Sequence, residues 1–83
     1  SLAQELDQTI KKAMSQLPEQ FRTAIVLREL QGLSYEEIAE AIGCELGTVK
    51  SRIARARGRL QEILSPYIEK REEKRAVNFS NAH

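Results

Sequence analysis

Apolar residues recur at helical spacing along most of the chain, which predicts four helices. The first is predicted from residue 2 until Pro18 ends it, since one face carries Leu2, Leu6, Ile10, Ala13, Met14 and Leu17. The second, at about residues 18–31, is apolar on nearly all sides and is therefore expected to be central. Gly32 is a natural stop for it. No stretch alternates as a strand does, so the pattern predicts an all-α fold.

The third helix has the clearest local start. Ser34 suits the N-cap, and Glu37 stands three residues later, as a capping box requires. Gly43 is expected to close this short helix. The fourth helix is predicted from Leu46 to about Leu64, before Pro66, and its core stripe comprises Val49, Ile53, Ala56, Leu60 and Leu64.

Two helices joined by a short turn that contains glycine are typical of a helix-turn-helix, whose second helix enters the DNA major groove. Residues 35–53 fit this layout. Ala39 is small enough for the helix crossing, and Gly43 can take a positive φ in the turn. The expected architecture is a small four-helix domain with a C-terminal helix-turn-helix at residues 1–66. Residues 67–83 are expected to form a charged helical extension that frays into a partly disordered tail.

Charge is unevenly distributed along the chain, although the net charge is only +1. Residues 1–44 carry four cations and seven anions, whereas residues 45–83 carry nine cations and five anions. The window 50–59 holds five cations and no anion. This run predicts an electrostatic footprint for nucleic acid. The alternative is an ordinary solvated basic face.

A helical wheel of the fourth helix turns Lys50, Ser51 and Arg55 away from its core stripe. Lysine, arginine and serine can hydrogen-bond base edges, so these three are candidates for sequence recognition. Arg52 and Arg59 lie on the flank, where phosphate contacts are expected. Arg57 lies at the core boundary and is expected to snorkel or to form an ion pair.

Several function classes have little support. One cysteine, Cys44, and one histidine, His83, cannot form an internal disulfide or a protein-only zinc site. No nucleophile, base and orienting group can be assembled, so we expect neither an enzyme nor a cofactor. No membrane span or signal peptide is visible, and we expect a cytoplasmic protein without a membrane partner. A chain that starts at Ser1 rather than Met is expected to be a fragment.

The sequence LPEQFRTAIVLRELQGLSYEEIAEAIGCELGTVKSRIARARGRL closely resembles the C-terminal promoter-recognition domain, region four, of bacterial extracytoplasmic-function sigma factors. This region has a winged-helix-like helix-turn-helix fold. The resemblance covers about residues 2–64. It implies binding of the −35 promoter element in double-stranded DNA, with the domain held by the flap of the RNA polymerase β subunit. It also implies an anti-sigma factor as a partner.

Residue by residue, the resemblance places base contacts at Lys50, Ser51, Ala54 and Arg55. It places phosphate contacts at Arg28, Tyr35, Thr48 and Arg52. Arg28 could instead form a structural ion pair, and Tyr35 could instead pack. Some relatives have a larger side chain than Ala54, whose methyl suits a thymine methyl.

Two other functions stay open at this point. A LuxR-type response regulator has a similar GLSYEEIAEAIG segment followed by GTVK, but its recognition helix usually ends differently. The chain could also act mainly as a module that binds an anti-sigma factor or an activator, with the apolar first helix and the acidic third helix as the contact surface. Binding assays with promoter DNA and with the β flap would separate these functions.

Overall fold

A computed structural model shows four helices, α1 (Leu2–Ser15), α2 (Glu19–Glu29), α3 (Tyr35–Ile42) and α4 (Leu46–Asn81). The structure describes the backbone of residues 1–81 and the side chains of residues 1–73. The all-α prediction is confirmed, and residues 1–81 contain no strand, so they carry no β-hairpin wing. No helix in this range is both long and apolar enough to cross a membrane.

α1 and α2 meet at a tight connection around Pro18, which is the N-cap of α2. α1 ends at Ser15, two residues earlier than its apolar pattern extends. Arg22 of α2 reaches back and donates to the carbonyl of Ser15, the last residue of α1, at 3.5 Å and to the Leu17 carbonyl in the connection at 3.3 Å. A cationic donor at the C-terminal end of a helix satisfies carbonyls that have no partner within the helix.

The predicted start and end of α3 are both confirmed. The Glu37 N–H donates to the Ser34 hydroxyl at 3.1 Å, and the Ser34 N–H donates to the Glu37 carboxylate at 2.9 Å. The backbone N–H and hydroxyl of Ser34 lower the pKa of Glu37, so this capping contribution is lost as the pH falls through that lowered pKa. Gly43 closes the helix at φ 68°, a conformation that a side chain disfavours.

The predicted end of α4 before Pro66 is wrong, because α4 continues through Pro66 to Asn81. Proline removes one backbone donor, the one that would reach the Glu62 carbonyl. Glu62 is exposed, so water can satisfy that carbonyl. The helix therefore crosses the expected domain boundary at residue 66 unbroken. Of the extension expected at residues 67–83, the backbone is helical to residue 81. Residues 82 and 83 and the side chains of residues 74–81 lie outside the described ones.

The core lies where α2, α3 and the first half of α4 meet. Its buried members are Leu17, Phe21, Ala24, Ile25, Ile38, Val49, Ile53 and Ala56. α2 packs most extensively against α4, as expected of a central helix, but it buries only one face, and Leu30, the residue that follows it, is 72% exposed. Leu60 and Leu64 of the predicted α4 stripe are only half-buried.

Candidate nucleic-acid interface

The turn between α3 and α4 orients the candidate recognition helix. Gly43 takes the left-handed conformation, and the Cys44 N–H then donates to the Ala39 carbonyl at 3.0 Å. Ile38 of α3 and Val49 and Ile53 of α4 are each at most 1% exposed. These apolar side chains hold one face of α4 against the fold, so its opposite face must look outward.

All four predicted base contacts lie on that outward face. Lys50, Ser51, Ala54 and Arg55 are exposed, and the adjacent pairs 50–51 and 54–55 lie four residues apart, which places them on neighbouring turns of one helix surface. The outward orientation predicted for Lys50, Ser51 and Arg55 is confirmed. Contact with bases stays a prediction.

The predicted phosphate contacts on α4 lie beside this face. Thr48 and Arg52 are half-buried, and Arg59 is exposed with its guanidinium 5.2 Å from the centre of the Phe21 ring. Within the described residues, no hydrogen bond or ion pair holds the side chains of Lys50, Arg52 or Arg55. These three cations are therefore available to an anionic ligand.

Arg28 and Tyr35 lie together at the junction of α2 and α3. Arg28 donates to the Leu33 carbonyl at 2.9 Å, and its guanidinium lies 4.8 Å from the centre of the Tyr35 ring. The ion pair considered for Arg28 is not found among the described residues. Tyr35 is half-buried against the core, in line with the packing alternative. A phosphate contact by either residue stays a prediction.

Arg57 pairs with Glu29, which confirms one of the two roles expected for it. The Arg57 guanidinium donates to the Glu29 carboxylate across α4 and α2. The pKa of Arg57 is raised, first by this hydrogen bond, then by the Glu29 charge, with a smaller contribution from the nearby Tyr35 hydroxyl; partial desolvation opposes these effects. Glu29 was not singled out in the sequence, because it stands 28 residues before its partner.

An apolar groove between α1 and the distal half of α4 is a second surface feature. Its apolar lining comprises Leu2, Leu6, Ile10, Leu64, Tyr67 and Ile68. The groove is open to solvent along one side and has a volume of about 980 Å³. Leu2, Leu6 and Ile10 are between 43% and 57% exposed, so the apolar face of α1 is only partly covered. Sequence reasoning named the apolar first helix as a protein-binding surface but missed the α4 wall, since α4 was expected to stop before Pro66.

No group of three histidine, cysteine, aspartate or glutamate side chains in the described part of the chain could hold a metal ion. The described residues form two candidate binding surfaces. One is a helix face with exposed cations and a small hydroxyl, and the other is the apolar groove.

Comparison with known proteins agrees with this geometry. The family model described as Sigma-70, region 4 matches residues 7–60. The RNA polymerase sigma-H factor of Pseudomonas aeruginosa is 48% identical over 67 residues, which are 81% of this chain and 35% of that protein. The ECF RNA polymerase sigma-E factor of Escherichia coli K12 is 51% identical over 67 residues, again 81% of this chain and 35% of the relative. The chain thus spans about a third of the length of these curated relatives.

A solved structure is similar in both sequence and fold. It is the sigma factor RpoE in complex with the anti-sigma factor NepR from Bartonella quintana, with a TM-score of 0.68 and 50% sequence identity. The match covers 70% of this chain and 36% of that one. At 50% identity, the two chains are similar in sequence as well as in the arrangement of their helices.

Proposed function

This chain belongs to the sigma-70 region 4 family of extracytoplasmic-function sigma factors, and on that basis we propose that it binds the −35 element of promoter DNA and so directs RNA polymerase to promoters. The observation that carries the proposal is the two-sided character of α4: Val49 and Ile53 are buried, whereas Ser51 and Arg55 are exposed. A helix held in this way can enter the major groove with its polar face first. The proposed role is binding without catalysis, by a protein that acts in the cytoplasm.

The proposed contacts divide between bases and backbone. Lys50 and Arg55 reach guanine O6 and N7, Ser51 bonds several base edges, and the Ala54 methyl meets a thymine methyl. Thr48, Arg52 and Arg59 hold phosphates on one side of the groove, with Arg28 and Tyr35 on the other. Base contacts select the sequence, and phosphate contacts supply affinity and fix the orientation of the helix.

The family match favours this function over the LuxR-type alternative. Both families share the α3 segment, but the matched region extends to residue 60, through the recognition helix that distinguishes them. The two families also differ in partner, since only a sigma factor domain works as part of the polymerase.

The first test is the salt dependence of DNA binding. Each phosphate neutralised by a lysine or arginine contributes about −0.9 to the slope of log affinity against log salt, so the three cations proposed to contact phosphates, Arg28, Arg52 and Arg59, predict a slope of about −2.7. The measurement is fluorescence anisotropy of a labelled duplex at several salt concentrations. The duplex is one that the 83-residue chain selects from a random pool. A nearly flat salt dependence, or no selected sequence, would contradict the proposal.

We also propose that the α1–α4 groove binds an anti-sigma factor through an apolar helix. Leu2, Leu6 and Ile10 repeat every four residues along one wall, a spacing that suits the anchors of an apposed helix. The similar RpoE chain was solved with its anti-sigma factor, which supports this kind of partner. The RNA polymerase β flap is the other protein partner proposed for the domain, and it is the alternative occupant of the groove.

Leu6→Arg is expected to weaken anti-sigma binding about tenfold or more, because one buried leucine contributes about 1.5–3 kcal/mol. Affinity for DNA should stay within about twofold, since the groove lies away from the recognition face. Leu30→Arg is the matched control: it makes the same change at an exposed leucine outside the groove lining. Titration of each variant with the cognate anti-sigma factor and with the isolated flap measures both partners. Loss of flap binding alone would assign the groove to the flap instead.

A further inference from the structure

The buried side chains of Ile38, Val49 and Ile53 determine which face of α4 turns inward, and polar contacts at the edge of this packing can refine the angle of the helix. Ala24 of α2 and Ala56 of α4 are fully buried, and small side chains present a smooth surface to a neighbouring helix. Hydrophobic burial is itself non-directional, so small adjustments of the helix about its packed position are opposed by close packing and by any directional contacts. A rotation of this kind would move every base-contacting side chain on the opposite face. Directional contacts therefore add to the constraint that apolar packing places on the angle of the helix.

A polar clasp, formed by Arg28, Glu29, Tyr35 and Arg57, provides such contacts at the junction of three helices. Arg57 of α4 donates to the Glu29 carboxylate at the last residue of α2. The adjacent Arg28 lies over the Tyr35 ring at the first residue of α3, and it donates to the Leu33 carbonyl in the connection between them. Each helix of the recognition unit thus contributes at least one member.

The clasp sits close to the proposed base contacts. Arg57 follows Arg55 by two residues and Ala54 by three, within one turn of α4. Charge-assisted hydrogen bonds to a carboxylate are short and directional, so they constrain the guanidinium in space. A constraint at Arg57 is transmitted to Ala54 and Arg55 through less than one turn of rigid helix.

We propose that Glu29 is a positioning residue for DNA recognition, which holds α4 through Arg57 so that the recognition face meets the bases at the correct angle. This inference rests on the proposed function. It gives an acidic residue a favourable role in a protein that binds a polyanion. It also removes Arg57 from the cations that neutralise phosphate, although Arg57 belongs to the basic run in the sequence.

A role in global stability does not account for the clasp. The side chains of Arg57 and Glu29 are 52% and 50% exposed, and ion pairs exposed to this extent contribute little to the free energy of unfolding. The effect should instead appear in the specificity ratio, the affinity for the selected duplex divided by the affinity for a scrambled one.

The test uses charge-matched variants of the full chain. Glu29→Gln and Arg57→Gln each remove the ion pair from the clasp but change the net charge in opposite directions. Asp7→Asn and Lys11→Gln make the same charge changes at the exposed pair within α1, whose Asp7 Oδ2 and Lys11 Nζ atoms lie 3.0 Å apart. An effect of net charge alone would shift the DNA affinity of the two clasp variants in opposite directions. A positioning role makes both lower the specificity ratio.

We expect Glu29→Gln and Arg57→Gln to lower the specificity ratio about twofold to fivefold, the range that one exposed ion pair can supply. The α1 variants should leave it unchanged. The swapped pair, Glu29→Arg with Arg57→Glu, should recover most of the ratio. Circular dichroism at the assay temperature checks that every variant is folded, so that a general loss of structure is not mistaken for an altered helix angle.

Two results would overturn the positioning role alone: an unchanged ratio in both single clasp variants, or a swapped pair no better than the worse single variant. A different result would remove the proposed function itself. If the unaltered chain prefers no duplex over the scrambled one, DNA recognition fails, and the role of Glu29 fails with it.

Discussion

Replacing Ile53 with alanine is expected to destabilise the folded chain by about 2–5 kcal/mol, since it removes buried methyl groups and leaves a cavity. Ile53 is 1% exposed and lies on the core side of α4, directly behind the recognition face. A domain of this size has about 5 kcal/mol or little more of total stability, so the loss is a large share of it. Urea unfolding followed by circular dichroism measures the change. DNA binding should fall in parallel because α4 loses its anchor.

Ile68→Ala is the matched control for Ile53. It makes the same substitution in the same helix, at a side chain that is 47% exposed. Its expected cost is below about 1 kcal/mol, because little area is lost from a partly solvated site. Equal destabilisation by the two variants would contradict the assignment of Ile53 to the core and of Ile68 to the open groove.

Arg55→Ala is expected to lower the affinity for the selected duplex by about 1–3 kcal/mol, the discrimination supplied by one bidentate contact with guanine. Affinity for a scrambled duplex should change far less. Arg55 is exposed on the outward face and, among the described residues, has no intramolecular partner to lose. Competition titrations with the two duplexes measure the specificity ratio directly.

Arg52→Ala serves as the comparison, because it removes the same charge from the flank of the same helix. A phosphate contact carries no sequence information, so its loss should weaken both duplexes to a similar extent. It should also reduce the magnitude of the salt slope by about 0.9. If Arg52 and Arg55 reduced the specificity ratio equally, the division between base and phosphate contacts would be wrong.

Much of the candidate site could be predicted because it depends on one helix and its immediate neighbours in sequence. The exposure of Ser51 and Arg55 follows from the position of Val49 and Ile53 on a regular helix. The charges of Arg28 and Arg59 were also visible in the sequence, but the stacking partners Tyr35 and Phe21 were not, since they lie on other helices. The sequence identified the candidate cations, but it did not show which of them already contact other side chains within the fold.

The continuation of α4 shows where a local rule is insufficient. Proline disfavours a helix interior because of one missing donor and one steric contact. At Pro66 that penalty is set against helical residues on both sides and against α1, which lies along the distal half of α4. The local rule says only that proline destabilises a helix interior. Packing against the neighbouring helix determines whether that cost is outweighed.

The sequence by itself determined the four-helix pattern, the capping box at Ser34 and Glu37, the glycine turn at Gly43, and the two faces of the recognition helix. Each of these depends on interactions between residues at most about four positions apart, where backbone geometry leaves few choices. Only the tertiary structure decided that Arg57 pairs with Glu29 and that α1 and α4 leave an apolar groove. Those features depend on which surfaces meet after the chain has folded, and the separation of the partners along the sequence does not reveal that.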